Sequence, residues 1–133
     1  MATTAHRELH APVPSDGYVQ SFARGLEVIR SFSADAPEQT LSEVAARSGL
    51  TRAGARRFLL TLQTLAYVEG DGKHYRLTPR ILDLGFAYLT SMPIWNLAEP
   101  VMERLSDALG ESCSAAVLDG SDIVYVMRVH THK

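Results

Sequence analysis

Three arginines stand close together in this 133-residue chain: Arg52, Arg56 and Arg57, just after Thr51. A guanidinium is a flat fork of donors. It can place two hydrogen bonds on guanine O6 and N7, a contact that discriminates by about 1–3 kcal/mol. Ala53 and Gly54 lie between the arginines, and their small size lets a backbone come close to a groove, where a thymine methyl could pack on Ala53. If Thr51 starts a helix, the free N–H groups there also favour a phosphate. Lys73 and His74 follow Gly72 in a short turn, placed for phosphate or the minor groove, with Asp71 diluting their field. Arg24 and Arg80 are further candidates for flanking phosphates. This is the chemistry of reading a polyanionic surface. The plain alternative for Arg56 and Arg57 is a solvated helix face.

Such residues need a frame, and residues 41–80 supply one. Thr40-Leu41-Ser42-Glu43 is a capping box, in which threonine and glutamate satisfy the free N–H groups of a helix start reciprocally. That helix runs to Ser48, and Gly49 offers the left-handed residue that ends it. Thr51 caps a further helix reaching about Ala66. Ala45, Gly49, Ala55 and Phe58 have the spacing of a helix-turn-helix: a small residue for close approach, a turn, then inward apolar positions. An ordinary helical hairpin is the alternative. Residues 67–69 and 74–77 read as strands joined by Gly70-Asp71-Gly72-Lys73, a two-stranded wing. Upstream, Ser21 is expected to cap a helix reaching about Ser33, with Phe22, Leu26, Ile29 and Phe32 on its inner face.

Downstream, Thr78-Pro79 opens a fourth helix. It carries two apolar stripes, Leu82/Phe86/Leu89 and Ile81/Leu84/Tyr88. A helix apolar nearly all round must be covered on more than one side. One small domain cannot do that, so Ile81, Leu84 and Tyr88 are expected to face a second subunit. Ser91-Met92-Pro93 breaks this helix. A fifth is expected over about 97–109, with Val101, Leu105 and Ala108 inward and Pro100 in its first turn, where its missing N–H does least harm. Two strands, 112–118 and 122–129, follow around Asp119-Gly120, with Ile123, Tyr125, Met127 and Val129 sharing a face.

Composition narrows the function. Hydrophobic residues are 46% and charged residues 21%, as in folded proteins. The net charge of -2 hides an asymmetry: residues 18–80 hold nine Lys/Arg against six acids, and residues 81–133 hold three against seven. Two modules with different partners are implied. A single cysteine, Cys113, excludes an intrachain disulfide, fits a cytoplasmic protein and reads as a buried structural thiol. Segment 1–17 has no signal-peptide core and is expected to be a disordered arm. No transmembrane stretch is present. His130 and His132 could share a strand face, but a frayed tail is the plainer reading, and no metal is expected. Trp95 and Tyr125 could line an effector pocket; core packing is the plainer reading for each. No nucleophile–base pair, phosphate loop or ligand cluster points to an enzyme, and no cofactor is expected.

Taken together, QSFARGLEVIRSF, LSEVAARSGLTRAGARRFLLTL, Tyr67-Val68, LTPRILDLG and the spacing of Leu97, Pro100, Leu105 and Gly110-Glu111 resemble the IclR family of bacterial transcription regulators. ARRFLLTL, LTPRILDLGFAYL and VLDGSDIVYVMR are similar to the subgroup that regulates the β-ketoadipate pathway of aromatic acid breakdown. The resemblance spans about residues 18–130. It implies an α+β chain: a mainly α winged helix-turn-helix (18–78), a linker helix (79–92) and the start of a GAF-like α/β effector domain (93–133). It implies a homodimer, often paired into a tetramer, on double-stranded DNA with a palindromic operator, and a sensor for a small organic acid. Thr51, Arg52, Ala53, Gly54, Arg56 and Arg57 are the DNA-reading positions it carries over. Family members continue beyond this C-terminus, so only a complete sensor is expected to hold an effector. The rival reading is a winged helix that binds another protein; it would need a neutral or acidic reading surface, which the three arginines oppose.

Overall fold

A computed structural model describes residues 15–131 and divides the chain into two compact units, parting between Leu84 and Gly85. The expected N-terminal arm and His132 lie outside the described residues, apart from 15–17.

The first unit begins with α1 (Gln20–Ser31). Ser21 does not cap it; the cap position is Val19, with no side-chain hydrogen bond. Its inner face keeps Ile29 and Phe32 of the expected stripe but not Phe22 and Leu26. Phe22 and Leu26 are 70% and 45% exposed, whereas Val28 and Phe32 are buried. Gly25 sits on that face, where an added Cβ would lie 3.6 Å from the Phe58 ring. At that distance a methyl group would make ordinary van der Waals contact with the ring.

Next come β1 (Gln39–Thr40) and α2 (Leu41–Ser48). The Glu43 N–H donates to Thr40 Oγ1 at 3.3 Å, as a capping box requires. The Glu43 carboxylate takes its bond from the Thr40 hydroxyl at 3.1 Å and not from the backbone. Gly49 adopts φ 69°, and Leu50 N–H returns to Ala45 O at 2.9 Å, closing the turn. α3 (Arg52–Thr64) starts on Thr51, whose hydroxyl accepts from Gly54 N–H at 3.1 Å. Val28, Phe32, Val44, Ala45, Ala55, Leu59 and Leu62 close the core, with Val68 and Tyr75 from the wing.

The wing holds β2 (Val68–Gly70) and β3 (His74–Leu77), antiparallel, with Glu69 opposite Arg76. A third strand joins this two-stranded wing. β1 pairs with the other edge of β3, Gln39 opposite Tyr75, so the order is β1-β3-β2. Two residues are too few to leave an alternating pattern, and only the return of β3 reveals this strand.

Pro79–Ile81 form a single tight turn leading into α4 (Leu82–Thr90). None of α4's residues is buried; Leu84 and Tyr88 are 53% and 43% exposed. In the second unit, α5 runs Pro93–Leu109, longer than expected, with Pro100 in its interior. Pro93 takes the first-turn position instead. The inward residues are Met102 and Ser106, while Val101 and Leu105 stay exposed. Ser106 belongs inside because its hydroxyl donates to Glu111 O at 2.6 Å, satisfying both groups where the helix turns at Gly110.

β4 (Cys113–Asp119) and β5 (Asp122–Val129) form the expected hairpin, but a register shift falls at Ala115/Ala116. Met127 pairs with Ala115 and Tyr125 with Ala116, so Val126 is the extra residue. A bulge moves the following residues to the opposite face. Ile123 and Tyr125 therefore part from Met127 and Val129, and both are exposed. Tyr125 is not a core residue, and Cys113 is half-buried, not fully enclosed.

Candidate nucleic-acid interface

α3 turns one side to the core through Ala55, Leu59 and Leu62. With 3.6 residues per turn, Arg52, Ala53, Arg56, Arg57 and Leu60 must then lie away from it, and all five are exposed. Among the described residues none of these arginines forms an ion pair. They contrast with Arg76, which bonds Glu69 at 2.7 Å and lies 3.5 Å from Glu38. The Glu69 hydrogen bond, then its charge, raises the Arg76 pKa. Arg76 is thus occupied within the wing.

An open groove of about 550 Å³ runs between α1, the turn and α3. It brings together four of the expected residues, Arg24, Thr51, Gly54 and Arg57. Arg52, Ala53 and Arg56 are not part of its lining. Sequence reasoning missed Ser21 and Thr61, which also line it. Thr61 lies one turn after Arg57 and its hydroxyl bonds the Arg57 carbonyl at 2.9 Å, so helical spacing alone could have found it. Ser21 could be placed only once α1 was packed.

At the wing tip Lys73 is exposed and His74 half-buried. Asp71 shapes this turn more than it dilutes charge. Its carboxylate accepts from His74 N–H at 2.8 Å and Lys73 N–H at 2.9 Å. These bonds, His74's first, hold its pKa below the usual value. Gly70 is required here, because a Cβ would meet His74 O at 2.7 Å and the Tyr75 ring at 2.8 Å. Arg80 is exposed in the turn before α4; Ile81 is half-buried. Among the described residues no cluster of three or more His, Cys, Asp or Glu could hold a metal, and no helix is long and apolar enough to cross a membrane. The arrangement presents arginines without ion pairs among the described residues around a capped helix start, together with Lys73 at the wing tip, a chemistry suited to phosphate and guanine recognition.

Comparison with known proteins bears on the family. The model for the IclR helix-turn-helix domain matches residues 21–72, and that for the bacterial transcriptional regulator IclR C-terminal region matches residues 86–133. The Pca regulon regulatory protein of Pseudomonas putida is 41% identical over 114 residues, covering 86% of this chain and 39% of that protein. A crystal structure from Rhodococcus sp. RHA1, described as a transcriptional regulator, is 52% identical with a TM-score of 0.79, covering 87% of this chain and 46% of that one. An IclR homologue from Microbacterium hydrocarbonoxydans, crystallised with 4-hydroxybenzoate, is 25% identical with a TM-score of 0.72, covering 85% and 48%. The chain thus spans less than half the length of these relatives.

Proposed function

Because the chain belongs to the IclR family of bacterial transcription regulators, we propose that its first unit binds double-stranded DNA sequence-specifically and serves to regulate genes of aromatic acid catabolism in the bacterial cytoplasm. The observation that carries this reading is the face of α3. Arg52, Arg56 and Arg57 are exposed and without ion pairs among the described residues, beside the Thr51-capped helix start. Thr51, Arg52, Arg56 and Arg57 read base edges; Lys73, with Arg24, His74 and Arg80, holds phosphates; Ala53 and Gly54 allow the close approach. Two copies, joined through Ile81, Leu84 and Tyr88 and able to pair further into a tetramer, read a palindrome. The pathway follows from the relative named for the Pca regulon. The effector is a small organic acid, held only by a complete sensor domain.

The test is DNA binding across a salt series. A dimer touching ~6–10 phosphates loses roughly 10³–10⁵ in affinity between about 50 and 200 mM salt. Flat binding over that range would refute the reading. A genomic footprint then names the operator and the neighbouring genes.

A further inference from the structure

Gln39 is wholly buried, on the two-residue strand β1. Its backbone lies opposite Tyr75 of the wing. Its side chain reaches the end of α1: Nε2 donates to Ser31 O at 3.1 Å and lies 3.4 Å from Ser31 Oγ and 3.5 Å from Ala36 O. The same Ser31 carbonyl accepts from Arg47 Nε of α2 at 3.2 Å. One carbonyl therefore gathers α1, α2 and the wing sheet. Gln39 Oε1, in contrast, is buried and has no hydrogen-bond partner among the described residues. An unpaired buried amide oxygen is destabilising. An apolar side chain of this size would avoid that loss, so the amide's contribution lies in orientation.

We propose that Gln39 is a positioning residue, whose amide locks the wing sheet to the end of α1 and so fixes where Lys73 stands relative to α3. The link to DNA rests on the reading above, in which the wing meets phosphate. The exposed pairing of Arg76 with Glu38 and Glu69 cannot replace this lock, because exposed ion pairs are weak.

The test uses the whole chain and Gln39→Met, which keeps length and volume but removes the donor. In DNA-free protein, the amide of Tyr75 should exchange with solvent about tenfold faster, a change of ~1.4 kcal/mol in local opening, while those of Leu59 and Leu62 hold. An unchanged Tyr75 amide, or equal acceleration in both places, would overturn the proposal. Arg47→Met, which loosens α2 from the same carbonyl, should lack this wing selectivity. Should the methionine variant not fold, Gln39→Asn keeps the amide but shortens its reach, and must give the same wing-selective pattern. On DNA, Lys73→Ala should weaken binding in the parent and change it less than about twofold in Gln39→Met, as coupled positions do. An equal effect in both backgrounds would also overturn the proposal. No effect of Lys73→Ala in the parent would instead refute wing contact with DNA, and the exchange pattern would still decide the role of Gln39.

Discussion

At the scale of single residues, base contacts specify and phosphate contacts position. Arg56→Ala and Arg57→Ala should each reduce the ratio of specific to nonspecific affinity by about tenfold, within the ~1–3 kcal/mol of a two-bond guanine contact. Lys73→Ala should weaken all sequences alike and lower the salt slope by about 1. Competition titrations against scrambled DNA separate the two effects, and an unchanged ratio in both arginine variants would refute their assignment. Asp71 carries a pH prediction. Its pKa in the folded chain is lowered, chiefly by the His74 N–H and then that of Lys73. The bonds therefore stabilise the turn above the ordinary carboxylate value of about 3.9 and are lost as pH falls through the lowered value. As pH falls below the ordinary carboxylate range the wing turn should loosen. NMR of the Lys73 and His74 amides checks this, and Asp71→Ala should abolish the acid step.

At the scale of elements, the end of α3 stores strain. Ala66 sits at φ 65°. The Tyr67 N–H returns to Leu62 O at 2.9 Å, and Thr78 Oγ1 bonds Ala66 O at 2.6 Å, so the surroundings hold it there. A side chain in this region costs roughly 1–2 kcal/mol, and glycine escapes it. Ala66→Gly should raise stability by about 1 kcal/mol, less some unfolded-state entropy, read as a higher midpoint in urea. The helix α4 makes the other element-scale prediction. Leu84 and Tyr88 are half exposed on a helix that buries none of its residues. Replacing both with glutamate should yield monomers that bind a palindrome poorly, since half-sites one helical turn apart need paired recognition helices. Sedimentation decides it: a parent chain that is monomeric at micromolar concentration yet binds tightly would remove α4 as the interface.

At the scale of the whole molecule, a basic first half and an acidic second half fit one nucleic-acid partner and one different task. The described second unit offers one helix and one hairpin. A pocket that buries most of a small ligand needs walls on several sides. This 133-residue chain should therefore give no saturable heat with protocatechuate or β-ketoadipate. Clear binding in calorimetry would mean that a pocket is complete here or is completed by a second copy.

The sequence by itself determined the features written in local rules. Thr40 and Thr51 cap, Gly49 turns, and Ala55, Leu59 and Leu62 repeat at helical spacing, so the helix-turn-helix and the exposed arginines were legible. The tertiary structure alone decided what depends on a partner far along the chain. Gln39–Thr40 is a strand only because β3 passes beside it. The inner face of α1 takes in Val28 and Phe32 and leaves Phe22 and Leu26 exposed, which depends on where the rest of the core lies. The bulge at Val126 reassigns Ile123 and Tyr125, and only pairing with β4 reveals it. Ser106 is inside because its hydroxyl finds the Glu111 carbonyl. Caps and periodicity are set by neighbours within a turn or two, whereas faces, registers and buried polar contacts are set by whichever surface the folded chain brings against them.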